Sequence, residues 1–145
     1  MLADSGLPGM KVLEFAFDPN SLSDYLPHRI GENSICYAGT HDNNTLRGWI
    51  DEENPETLAF AREYLGIDDD ADLADAVLRA GMRSKAELFI AQMQDWLGLG
   101  VDARMNTPGT VGGNWRWRMT PGSETKALAG KMRRMAYIYG RSDKK

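Results

Sequence analysis

Two short apolar runs open the chain, and each gives way abruptly to polar residues. Residues 11–17 set Val12, Leu13, Phe15, Ala16 and Phe17 close together between Leu7-Pro8-Gly9 and Asp18-Pro19-Asn20, a pattern that predicts a short buried strand bounded by turn-forming residues. Glu14, in the middle of that run, is out of character. A second run, Ser34-Ile35-Cys36-Tyr37-Ala38, stops at Gly39-Thr40-His41-Asp42-Asn43-Asn44-Thr45, so polar groups crowd a strand's end. Four helices are then predicted. The first covers residues 54–66, with Asn54 as N-cap, Pro55 in the first turn, and Leu58, Ala61 and Leu65 buried. The second covers 70–83, where Leu73, Ala76, Val77 and Ala80 have amphipathic spacing. The third covers 84–97, opening on the capping box Ser84-Lys85-Ala86-Glu87 and burying Phe89, Ile90, Met93, Trp96 and Leu97 before Gly98. The fourth covers 123–139, with Leu128, Met132, Met135, Ala136 and Tyr139 on one stripe before Gly140. Between the last two, residues 101–105 predict a third strand, and a polar and aromatic loop follows it.

The order is thus strand, strand, helices, strand, helix, with no internal repeat; Asp68-Asp69-Asp70 reads as a solvated turn and cap. This is an α/β pattern of parallel strands with helices between them, and burying both faces of such strands takes a sheet with more members. The pattern therefore predicts part of an α/β barrel. With 145 residues, 42% of them hydrophobic, the chain suffices for one domain with a modest core and falls short of the roughly 200 residues of a whole (β/α)8 barrel.

A formal charge of -4 and a pI near 5.2 give no long-range attraction for nucleic acid or anionic membrane. Cys36 alone can form no internal disulfide, and no leader-like segment or long apolar run is seen, so a reducing cytoplasm is the expected location.

Two segments carry candidate chemistry. The first, Thr40-His41-Asp42-Asn43-Asn44-Thr45, gathers a histidine, a carboxylate and two amides at the strand end where α/β barrels place catalytic groups. It reads equally well as an Asx-turn leading into a helix cap. The second joins Asn106-Thr107-Pro108-Gly109-Thr110 to Asn114-Trp115-Arg116-Trp117-Arg118. Alternating Trp and Arg suit a cation-π ladder; flat aromatic faces beside amides also suit a sugar, apolar on its ring face and polar at its rim. His28 and His41 with Asp42 or Glu32 lack the short-range ligand pair of a metal site. No phosphate-cradling glycine motif precedes a helix, and neither metal nor cofactor is expected.

Taken in order and spacing, Gly6-Leu7-Pro8-Gly9-Met10-Lys11-Val12-Leu13, Tyr25-Leu26-Pro27-His28, Gly39-Thr40-His41-Asp42-Asn43 and the 106–118 segment resemble the C-terminal part of amylomaltases, the disproportionating-enzyme family of retaining 4-α-glucanotransferases. The resemblance runs from about Gly6 to Arg118. It implies a (β/α)8 TIM barrel of which residues 1–145 supply roughly the last three strands, and α-1,4-glucans such as maltooligosaccharides and amylose as substrates. The family's nucleophile and acid/base are implied to lie upstream of Leu7, so this chain by itself is expected to be inactive. The family's third carboxylate, a transition-state stabiliser, falls on Asp42, and its substrate-binding histidine falls on His41. Asn43, Asn106, Pro108, Trp115 and Trp117 are implied to face sugar, with one aromatic from the first strand, Phe15 or Phe17. Asn44 stands where family members usually carry Asp. A partial barrel leaves open sheet edges, so self-association through those edges is expected. A catalytically silent carbohydrate-binding module is the competing reading.

Overall fold

The computed structural model describes residues 6–142. It is a mixed α/β structure built on a three-stranded sheet in the order β1-β2-β3, parallel throughout. Strand β1 is Gly9–Val12 and β2 is Ser34–Tyr37, paired from Gly9 with Ser34 to Val12 with Tyr37. Strand β3 is Leu88–Ile90, and Cys36 faces Phe89 across the ladder.

The first apolar run is only half strand. After Val12 the chain coils into a 3₁₀ turn over Leu13–Phe15, closed by the Ala16 N–H donating to the Leu13 carbonyl at 2.9 Å. The reason lies in the side chains. Leu13, Ala16 and Phe17 are all buried, and positions i, i+3 and i+4 reach one side of a helical turn, whereas a strand would alternate them.

Residues 84–97, read as one helix, are not one. Ser84 ends the preceding helix with extended torsions and donates its hydroxyl to the Gly81 carbonyl at 2.8 Å. Residues 88–90 then extend as β3, and only Met93–Trp96 is helical. The apolar spacing satisfied a helical period, but pairing with β2 satisfies more backbone groups at once, and the Phe89 ring lies over Gly81, where a β-carbon would collide with it. The predicted strand at 101–105 is correspondingly a 3₁₀ turn, Val101–Ala103.

Among the described residues, five α-helices accompany the sheet. Helix α1, Leu46–Glu52, is absent from the sequence reading. Its N-cap is Thr45, whose hydroxyl accepts the Gly48 N–H at 3.0 Å, and it buries Leu46, Trp49 and Ile50. Helix α2, Pro55–Leu65, runs between the predicted caps: Asn54 accepts the Glu56 N–H, and Gly66 takes the left-handed conformation that ends it. Helix α3, Leu73–Arg83, follows a 3₁₀ turn at Asp70–Asp72 and buries Leu73, Val77, Leu78 and Ala80. Helix α4 is Met93–Trp96, and α5, Lys126–Ile138, is capped by Thr125. Helix α3 touches α1, α2, α5 and the 3₁₀ turn Pro27–Arg29. An ion pair of 2.7 Å between Asp75 and Lys131 bridges it to α5. Among the described residues no helix is long and apolar enough to cross a membrane.

Phe17 and Phe15 separate sharply. Phe17 has no exposed surface and its ring packs against Trp49 at 6.1 Å and Tyr64 at 5.9 Å, while Phe15 is 60% exposed. Phe17→Ala should therefore cost about 3 to 5 kcal/mol in denaturant unfolding and Phe15→Ala less than about 1 kcal/mol. Equal losses would contradict this division.

Candidate functional site

Because all three strands run the same way, their C-terminal ends lie together, and the chain leaves each end through polar residues. From β1 come Glu14 and Phe15; from β2, the turn through Thr40, His41, Asp42 and Asn43; from β3, Gln92 and then Asp95 on α4. A cavity of about 390 Å³ opens here, lined by Glu14, Phe15, Asp42, Asn43, Trp49 and Arg104 among others.

The turn after β2 is internally fixed. The Asn43 carboxamide oxygen accepts the Thr40 N–H at 3.0 Å and its hydroxyl at 2.7 Å, and the Thr40 hydroxyl oxygen accepts the Asp42 N–H at 3.3 Å. The expected Asx-turn is replaced by a turn built on the Thr40 hydroxyl, while the expected helix cap falls on Thr45. This turn does not use up the Asp42 carboxylate, which stays half exposed, with Oδ1 3.4 Å from the His41 Nε2.

The second segment folds over onto this turn. Asn106 donates its side-chain amide to Asp42 Oδ1 at 2.6 Å, and the Arg104 guanidinium donates to the Asp42 carbonyl at 2.8 Å and to the Asn106 carbonyl at 2.9 Å. Residues 64 positions apart thereby meet. The loop beyond is held by Asn114, whose carboxamide accepts the Thr107 N–H at 3.0 Å and donates to the Thr110 hydroxyl at 3.0 Å. Pro108 is exposed within that loop, before Gly109 at φ 79°.

Trp115 is the one non-glycine among the described residues with positive φ, at 63°. Such a conformation costs about 1 to 3 kcal/mol. Here it comes with a 2.7 Å bond from the Trp115 N–H to the Met105 carbonyl, and it brings the indole to 5.0 Å from the His41 ring. Arg118 donates to the carbonyls of Trp115 and Trp117, so its guanidinium braces the loop backbone, and Trp117 is half buried.

Two acids missing from the sequence-based site lie underneath. Glu14 is 6% exposed and Asp95 4% exposed. Burial, then the nearby charge of Asp95, pushes the Glu14 carboxyl from an ordinary 4.5 up to about 8, against the smaller opposing effects of Asn43 and Arg104. Burial likewise raises Asp95 from 3.8 to about 6, although its Oδ1 accepts the Leu46 N–H at 2.8 Å. Glu14 Oε1 and Asp95 Oδ2 have no hydrogen-bond partner among the described residues.

A family model described as 4-alpha-glucanotransferase matches residues 1–125. The chain belongs to this family. It is 42% identical over 139 residues to a chloroplastic/amyloplastic 4-alpha-glucanotransferase of Arabidopsis thaliana, covering 94% of this chain and 24% of the relative. It is 42% identical over 138 residues to the 4-alpha-glucanotransferase of Thermus thermophilus, covering 90% of this chain and 28% of that one. In structure it is similar to the amylomaltase of Streptococcus agalactiae in complex with acarbose, with a TM-score of 0.91 and 38% identity over 98% of this chain and 29% of that one. The chain therefore spans about a quarter of the length of these glucanotransferases.

Within this family member, the sequence-predicted residues Phe15, His41, Asp42, Asn43, Asn106 and Trp115 gather at one end of the sheet. Phe17, offered with Phe15 as a sugar-facing aromatic, lies in the core instead, because the 3₁₀ turn after β1 directs the two rings apart. His28, at the opposite end of β2, pairs its Nδ1 with the Tyr64 hydroxyl at 2.8 Å. Arg104 and Asp95 gave no signal in the sequence, whereas Glu14, a charge in an apolar run, did.

The buried acids set a direction for pH dependence. Between 4.5 and about 8 for Glu14, and between 3.8 and about 6 for Asp95, the folded chain holds a proton that the unfolded chain has released. Stability must fall as pH rises through that window. Calorimetry should show Tm dropping between about pH 5 and 8, and Glu14→Gln should flatten the drop above pH 6. A Tm that rises over this range would contradict the assignment.

Proposed function

We propose that this chain forms the C-terminal part, about the last three strands, of a (β/α)8 glucanotransferase barrel, and that it contributes Asp42 as the stabilising carboxylate of a retaining α-1,4-glucan transfer. The observation that supports the reading is the placement of Asp42. Its carboxylate stands at the C-terminal end of a parallel strand, held by Asn106, flanked by His41 and beside the cavity that Phe15 and Arg104 line.

A retaining transfer uses one carboxylate as nucleophile and a second to protonate the leaving oxygen, then to deprotonate the incoming hydroxyl. In this reading both belong to sequence outside these residues. Asp42 accepts hydrogen bonds from adjacent hydroxyls of the sugar at the cleavage point, and these tighten as the ring flattens and gains positive charge. His41 supplies a further bond to the same sugar. Phe15, Trp115 and Trp117 offer apolar faces that bind sugar rings and exclude water, favouring an acceptor glucan over hydrolysis. Asn43, Asn106 and Pro108 border the same subsite.

In the full-length glucanotransferase carrying this segment, Asp42→Asn should lower kcat by at least about a hundredfold while KM changes little, since the lost contact is strongest in the transition state. His41→Ala should be milder. The 145-residue chain alone should leave maltotriose unchanged. Small and equal effects on kcat and KM would overturn the role of Asp42, and maltooligosaccharide binding without turnover by the full-length protein would favour the silent binding module.

The same reading leaves the isolated chain with unpaired edges. Strand β1 exposes Met10 at 56%, and β3 exposes Leu88 at 49% and Ile90 at 38%. Such an edge is a template for another copy. Light scattering and circular dichroism across a dilution series should show association that weakens on dilution; a cooperative monomer at micromolar concentration would contradict it.

A further inference from the structure

Glu14 is a buried acid at this end of the sheet that the proposed chemistry does not use. Its backbone N–H donates to the Ala38 carbonyl at 3.2 Å, which ties it to the end of β2. Its carboxyl lies under the turn that follows. Gly39 starts that turn, and a β-carbon there would run into Glu14 Oε1 and press on Cβ of Asn43. The glycine is thus required by the close approach of the acid. On the far side lies Asn43, whose Cβ crowds the same space over Gly39 as Glu14 Oε1. The Asn43 oxygen accepts from Thr40 twice, so Asn43 is tied to the turn on one side and bounded by the buried Glu14 carboxyl on the other.

We propose that Glu14 is a positioning residue for Asp42: its carboxyl fills the space under Gly39 beside Asn43, Asn43 holds Thr40, and Thr40 sets the backbone from which the Asp42 carboxylate projects. The inference rests on the role given to Asp42 above. Removing the Glu14 side chain leaves a void under Gly39 and Asn43, into which the turn can shift, and the bonds from Asn43 through Thr40 to the Asp42 N–H loosen.

The charge state follows from the surroundings. Four groups from separate elements act on Glu14: Asp95 of α4 and Glu53 beyond α1 oppose its ionisation, while Asn43 and Arg104 favour it, and burial outweighs them all. Glu14 therefore works as a neutral acid below about pH 8. A neutral carboxamide has nearly the same size and shape, so it can replace the acid. Above that pH a carboxylate appears beside Asp95 in a largely buried place, and the turn is pushed open.

The test compares Glu14→Ala and Glu14→Gln in the full-length glucanotransferase, with kcat and KM measured for maltotriose disproportionation across about pH 6 to 9.5. Alanine should lower kcat at least about tenfold with KM within about threefold. Glutamine should restore kcat to within about threefold of the parent and remove a fall in rate centred near pH 8. An unchanged kcat in the alanine variant, or a glutamine variant as slow as alanine with the alkaline fall still present, overturns the inference. Asp42→Asn in the same background separates this from the reading beneath it: a fast Asp42→Asn enzyme refutes the role of Asp42. Nuclear magnetic resonance of the 145-residue chain then decides on Glu14 independently. The Asn43 side-chain amide should titrate with a midpoint near 8 and should stop doing so in Glu14→Gln; an amide that does not titrate in the parent chain overturns the link.

Discussion

The β1–β2–β3 ladder is parallel, and where its three strands end decides where the polar chemistry of the chain accumulates. Each crossover carries the chain back to the starting end of the ladder, so the loops leaving the C-terminal ends of parallel strands lie together. Here that convergence brings together Glu14, the 40–43 turn and Asp95 from three separate runs of sequence. It also forces two acids out of water, and they accommodate by holding protons at pH values where exposed acids would have lost them.

Above those buried acids, Asp42 is held mainly through its backbone and one carboxylate oxygen. Arg104 grips its carbonyl, Thr40 its N–H, and Asn106 its Oδ1. The other oxygen keeps no partner among these bonds, which is the arrangement a group needs if it is to accept a ligand hydroxyl without first breaking a strong internal contact. The loop that supplies Asn106 is stiffened by Asn114 and by the left-handed Trp115, so the wall over His41 is preorganised at a modest conformational cost.

The remainder of the molecule serves to hold that end steady. Helix α3 is the hub, packing on α1, α2 and α5, and Gly81 lets it approach β3 so closely that the Phe89 ring fills the space of a side chain. Arg141 closes the lower loop, donating to the carbonyls of Met82, Ser84 and Ala86. The exposed residues of β1 and β3, Met10, Leu88 and Ile90, contrast with this dense centre.

Local signals in the sequence determined the features with local causes. Asn54, Pro55 and Gly66 bounded α2, the spacing of Leu73, Val77 and Ala80 marked α3, and the motifs around His41-Asp42 and Asn106-Thr107-Pro108-Gly109 carried the resemblance to the family. Tertiary structure decided whatever depended on a distant partner. Residues 88–90 became a strand because β2 offered a ladder, although their spacing with Met93 and Trp96 fits a helix equally well. Leu46–Glu52 became a helix through Thr45, a cap hidden inside a polar run. Phe15 and Phe17 were interchangeable by pattern until the 3₁₀ turn sent one into the core and the other to the cavity. Glu14 showed only as an anomaly in an apolar run; its place beneath Gly39 and beside Asn43 exists because parallel pairing aligns the end of β1 with the end of β2, a relation that no spacing within either segment encodes.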